Sequence, residues 1–179
     1  MKFRFDDVCI NSDQNNRIEI SDYLKKEYNA EIIWAISPLV SDSEALTGRV
    51  YPKIWNAYSD HKMFYMMDCA VLIQSPSYVK KATHGLIHVD HRLLDKSAQE
   101  MSILVSASLV EADIFVPPFN KYNKDTEKIC DENNIGLVKF EDGWRCMEHE
   151  PYDPEHDMWY LHARDWNLDK VKEWFELGR

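Results

Sequence analysis

KFRFDDV, residues 2–8, decides how the rest of the chain reads. Phe3 and Phe5 alternate with Lys2 and Arg4, which is the period of a strand. Two carboxylates, Asp6 and Asp7, stand side by side at its end. Acidic pairs in loops are ordinarily just solvated. Beside a cation they divide labour: one carboxylate ligates, and the other stays free to take a proton from water.

Outward from this strand, helix-like and strand-like segments alternate. Residues 17–29 (RIEISDYLKKEYN) carry apolar residues at helical spacing, and residues 30–40 (AEIIWAISPLV) form an apolar run ended by Pro38. GLIHV (85–89) reads as a strand or its end. DKSAQEMSILVSASLVEA (95–112) reads as a helix, with Asp95 or Ser97 as its N-cap. ADIFVPPF (112–119) is a strand stopped by two prolines, and NKDTEKICDENN (123–134) a short amphipathic helix. IGLVKFEDGW (135–144) and MWYLHARDW (158–166) are two more strands. NLDKVKEWFELGR (167–179) closes the chain as a helix capped by Asn167. Residues 41–80 are rich in aromatics and show no clear period. Such alternation predicts βα units around a parallel sheet, where sites gather at the carboxyl ends of strands.

Residues capable of chemistry fall at those ends. KFRF runs into Asp6-Asp7, and the GLIHV region brings His84, His88 and His91. IFV runs into Pro117, Pro118, Phe119 and Asn120; LVKF into Glu141 and Asp142; MWYL into His162. His84 and His88, four apart, can present two imidazoles on one face. With a carboxylate they make an open three-ligand site. His91 has the wrong spacing to join them, and Asp90 is either a supporting partner or a solvated acid. His162 is a candidate general acid, with Asp142 or Asp165 to orient it.

Bulk properties set the boundaries. The 179 residues are 45% hydrophobic and carry a net charge of -10, which predicts one domain over residues 1–179. The negative charge argues against nucleic acid or an anionic membrane surface as partner. No apolar run is long enough for a membrane span. The opening residues lack the apolar core of a signal peptide, so the expected compartment is cytoplasmic. Cys9, Cys69, Cys130 and Cys146 form no CxxC and are expected to be reduced and structural.

In motif order the chain resembles the polysaccharide deacetylase family (NodB-homology, carbohydrate esterase family 4). FDD at 5–7 is similar to its first motif, TFDD, with Arg4 in place of Thr. THGLIH carries the H-x3-H element, FVPPFN resembles FRPPYG, FEDGW the fourth motif and YLHARD the fifth. The nearest branch by resemblance is the WbmS-like deacetylases of O-antigen gene clusters. The resemblance implies an α/β fold, a distorted, incomplete (β/α) barrel of about seven strands. It implies removal of an N-acetyl or other N-acyl group from a sugar. Asp7, His84 and His88 would hold a divalent metal, Zn²⁺ first, with Co²⁺, Ni²⁺ or Fe²⁺ as alternatives. Asp6 would be the base and His162 the acid, polarised by Asp142. The backbone near Phe119 would hold the oxyanion. Pro118, Phe119, Asn120 and Trp144 would contact substrate, and the aromatics of 51–67 could add a stacking wall. Two positions depart from the pattern. Val116 stands where the family has the Arg that braces the base, with Arg164 and Arg92 as candidate substitutes. Asn120 replaces a Gly and tolerates positive φ. Two other readings are a catalytically impaired barrel that binds a glycan or partner, and a two-His, one-carboxylate Fe(II) enzyme.

Overall fold

The computed structural model describes residues 1–8, 13–38, 74–86, 88–162 and 164–178. The aromatic stretch 51–67, Cys9 and Cys69 lie outside them. Within the described residues the strands are β1 (Lys2–Val8), β2 (Glu31–Ile36), β3 (Val79–Thr83), β4 (Ile114–Phe115), β5 (Gly136–Leu137), β6 (Arg145–Cys146) and β7 (Met158–His162). The helices are α1 (Gln14–Tyr28), α2 (Lys96–Val110), α3 (Lys124–Glu132) and α4 (Leu168–Leu177).

All seven strands belong to one sheet, ordered β5-β4-β3-β2-β1-β7-β6, and every pairing in it is parallel. The sheet curls into a half-barrel, as expected. The chain starts in its middle, walks to one edge through β5, then returns on the other side of β1 with β6 and β7. Ligand sites in open α/β sheets form where the strand order reverses in this way.

Strand alternation separates two interiors. Phe3, Phe5, Ile32, Trp34, Ile36, Trp159 and Leu161 face outward into a core shared with Ile20 and Leu24 of α1 and Val171, Trp174 and Phe175 of α4. The intervening positions Ile33, Ala35, Ala82 and Tyr160 face the barrel interior, with Val116, Trp144 and Cys146. By the same period Arg4 and Asp6 of β1 belong to the inner face. A third cluster, Ile103, Phe115, Ile129 and Cys130, seats α2 and α3.

The caps predicted at Asp95 and Asn167 hold, and Asn123 adds one the sequence reading did not name. Asp95 accepts from Ala98 N, Asn123 from Thr126 N and Asn167 from Lys170 N, so Asp95 and not Ser97 starts α2. Two strand readings are corrected. The strand beside GLIHV lies upstream, at Val79–Thr83, and residues 84–86 and 88–89 form the loop above it. The mixed sequence VKKAT hides it, because an exposed Lys80 and a half-buried Lys81 interrupt the apolar alternation. Residues 135–144 are not one strand. Leu137 ends β5, Phe140–Asp142 form a 3₁₀ turn closed by Gly143 at φ 103°, and the two-residue β6 follows. Among the described residues no helix is long and apolar enough to cross a membrane. Cys130 and Cys146 are buried free thiols.

Trp34 is fully buried, tilted against Phe5 at 6.4 Å, and its Nε1 donates to Ser21 Oγ. Trp34→Ala should therefore destabilise the protein by about 3–5 kcal/mol, read as a lower urea midpoint at unchanged m-value. A loss under about 1 kcal/mol would contradict this packing.

Candidate metal and acid–base site

A regular strand would send Asp6 and Asp7 to opposite faces. Asp7 instead has φ 58°, and the β1–β2 register shifts between Phe5 and Val8. A non-glycine residue pays a conformational penalty of order 1 kcal/mol there, so neighbouring contacts must hold it. The kink brings Asp7 to the histidines that follow β3.

His84 begins where β3 ends, its N–H donating to Ile36 O at 2.8 Å. Its Nδ1 lies 2.7 Å from Val116 O. A carbonyl only accepts, so Nδ1 carries the proton and Nε2 keeps a free lone pair, the arrangement common in metal-ligating histidines. Asp7 Oδ1 is 3.5 Å from His84 Nε2 and 3.0 Å from His88 Nε2. One ligand atom from each of the three lies within 4.8 Å of the others. Asp7 Oδ1 and His84 Nε2 are buried without a hydrogen-bond partner among the described residues. Buried polar atoms are ordinarily satisfied, so these orphans and the two-imidazole, one-carboxylate donor set fit a divalent cation. Burial opposes ionisation of Asp7, but the two imidazoles beside it prevail and hold its pKa well below the carboxylate range. Burial chiefly lowers that of His88, which favours the neutral, ligating form. His91 sits apart, its ring nitrogens on Val89 O and Ser102 Oγ.

Asp6 is buried beside this group, and its partner is an arginine that sequence reasoning missed. Arg4 Nε donates to Asp6 Oδ1 at 2.7 Å and Nη2 to Oδ2 at 2.8 Å. The substitutes considered from the sequence are occupied elsewhere: Arg92 pairs with Asp90 and Arg164 with Asp165. The signal available was the strand period, which puts residues 4 and 6 on one face.

His162 ends β7 in register with Asp6. The expected orienting role of Asp142 is corrected. Asp142 is exposed and accepts from Lys139 N within its own 3₁₀ turn. Asp165, the alternative, accepts from Arg164. Glu148, in the β6–β7 connection, supplies the carboxylate: its oxygens accept from His162 Nδ1 at 2.7 and 2.8 Å, and from the His162 N–H at 3.1 Å. A partner fourteen residues away across a loop leaves no spacing to read. The Glu148 hydrogen bond pushes the His162 pKa up to about 8 against a smaller opposing effect of burial.

Of the expected substrate contacts, Phe119 is exposed and its ring lies 4.4 Å from that of His88. Phe119 and Asn120 both take positive φ, 58° and 55°, after the buried Pro118. Trp144 is corrected: it is 5% exposed, and its ring backs the Arg4 guanidinium at 4.9 Å, so it does not form an open wall.

No protein-family model matches the chain, and no curated protein matches it. Solved structures do. A family 4 carbohydrate esterase from Streptomyces lividans, in complex with acetate, matches with TM-score 0.58 at 10% identity, over 99% of this chain and 85% of that one. The wild-type form of a pseudoenzyme of the same family from Bacillus anthracis matches at TM-score 0.59 and 9% identity, and a mutant of it at 0.58 and 8%. This chain spans 59% and 61% of the lengths of those two. The fold is the NodB-like half-barrel.

Two outcomes follow. Zn²⁺ titrated into the wild-type protein should bind one equivalent by calorimetry, and His84→Ala and Asp7→Ala should each weaken it by at least tenfold; unchanged affinity in both would rule out this centre. The folded His162 pKa lies above the ~6.5 of an unfolded histidine. Its stabilisation is therefore complete below about pH 6.5 and lost as pH rises through about 8. Glu148→Gln should bring the His162 titration, followed by NMR, down toward ~6.5.

Proposed function

We propose that this protein is a metal-dependent hydrolase that removes an N-acetyl or related N-acyl group from a sugar. The observation that carries the reading is the convergence of Asp7, His84 and His88 beside a buried, arginine-held Asp6 and a carboxylate-held His162. The fold shared with a family 4 carbohydrate esterase supports it.

A divalent cation held by Asp7, His84 and His88, with Zn²⁺ first among the choices, would polarise the acyl carbonyl and make attacking water more acidic. The chain's own groups do the rest. Asp6 accepts the proton of the attacking water. Arg4 takes one lone pair from each of its oxygens and leaves the others for that proton. His162, charged at neutral pH, protonates the departing amine, which is otherwise a poor leaving group. Glu148 fixes Nδ1 and leaves Nε2 as the nitrogen able to transfer. The N–H groups of Asn120 and Lys121 are taken by the carbonyls of Pro117 and Pro118, so the backbone N–H of Phe119 is the one that would help hold the developing oxyanion. The proposed substrate is an N-acylated saccharide, with an O-antigen or other surface-polysaccharide precursor in the cytoplasm as the biological setting.

A second reading, an impaired barrel that binds a glycan or partner, is favoured by the pseudoenzyme among the structural neighbours. It predicts metal and glycan binding without turnover.

Acetate release from N-acetylglucosamine oligomers by the Zn²⁺-loaded protein separates the two. Hydrolysis is expected, with kcat/KM falling above about pH 8 as His162 deprotonates. Asp6→Asn should lose roughly 10²–10⁴-fold. No release across amine-acylated sugars, with the metal bound, would favour the second reading.

A further inference from the structure

Arg4 does more than neutralise Asp6. Its Nη2, already on Asp6 Oδ2, also donates to Asn120 Oδ1 at 2.6 Å. The guanidinium is fully buried between the rings of Trp144, 4.9 Å away, and Tyr160, 4.7 Å away. The two rings, one just before β6 and one on β7, leave it little freedom to swing. One side chain therefore touches both the proposed base and the turn of residues 117–120.

That turn needs an external tie. Its own bonds are Asn120 N to Pro117 O and Lys121 N to Pro118 O, it has no side-chain cap, and two consecutive residues, Phe119 and Asn120, hold positive φ. Positive φ in a residue as bulky as Phe persists only where surrounding contacts over-determine it. On one side Phe119 packs on His88. On the other, Asn120 is held by Arg4.

We propose that Arg4 is a positioning residue that ties the base carboxylate of Asp6 to the Phe119–Asn120 turn, so that base, oxyanion-facing backbone and the wall over His88 move as one unit. Lysine cannot replace it: an ammonium is a point charge without the planar fork needed to meet two carboxylate oxygens and an amide together. Asn120 belongs to the same device, as an acceptor that also tolerates the left-handed backbone.

This inference rests on the hydrolase reading, and the test separates the two. Wild type, Arg4→Lys, Asn120→Gly and the double variant are compared for acetate release from N-acetylglucosamine oligomers, Zn²⁺ affinity and Tm. Asn120→Gly keeps the positive φ and removes only the acceptor, so it stays informative even where Arg4→Lys folds poorly. Arg4→Lys should lower kcat roughly 10²-fold, the scale of a misplaced catalytic group. Asn120→Gly should lower it about tenfold, as expected for one charge-assisted hydrogen bond. The double variant should be no worse than Arg4→Lys, because Asn120 acts through Arg4. Zn²⁺ affinity should stay within about twofold, since neither residue contacts the ligand trio. Losses that multiply, or a kcat that falls only with the folded fraction, would overturn the tie and leave the hydrolase reading standing. A folded, Zn²⁺-loaded wild type with no acetate release would overturn both.

Discussion

Two opposite charges, Arg4 and Asp6, sit two residues apart on the inner face of the first strand with almost no contact with solvent. Burying such a pair costs several kcal/mol per ion, and it is retained only where geometry and further hydrogen bonds compensate. Here compensation comes from the two-pronged contact with the carboxylate, the Asn120 amide and two aromatic faces. Each supporting group comes from a different part of the half-barrel. These groups hold one guanidinium out of water through Nε and Nη2, while Nη1 is buried without a hydrogen-bond partner among the described residues.

The same strand explains why the outer and inner sides differ so sharply in character. Its outward phenylalanines meet a dense aromatic cluster in which Phe3, Tyr28, Tyr152, Trp159, Trp174 and Phe175 contact one another edge to face or stacked. That cluster makes β1 a rigid support. The strain at Asp7 can be borne because the residues before it are locked from behind and Val8 re-enters register with Ile36.

Much of this was legible in the primary structure, and what was missed has physical causes. Parallel βα order, helix caps and the grouping of Asp7, His84 and His88 follow from periodicity, from capping chemistry and from motif order. The strand Val79–Thr83 escaped notice because two lysines occupy it, and β6 because two residues carry no period. Asp142 stood nearest in sequence to the expected carboxylate position, yet a 3₁₀ turn consumes it and a loop delivers Glu148 instead. Val116 looked like a missing brace. The brace is Arg4, two residues before the base on the same strand face, a relation the strand period carries but motif matching passes over.

The hydrogen bond between His84 Nδ1 and the carbonyl of Val116 has a consequence for how such a site can diverge. The imidazole is oriented by main chain, which every amino acid supplies alike. The side chain at 116 is constrained by its packing in the inner core, and not by the tautomer of the histidine that its carbonyl supports. Backbone-borne and side-chain-borne duties at one residue are thus separable: exchange of Val116 for another apolar residue of similar size leaves the histidine's orientation in place.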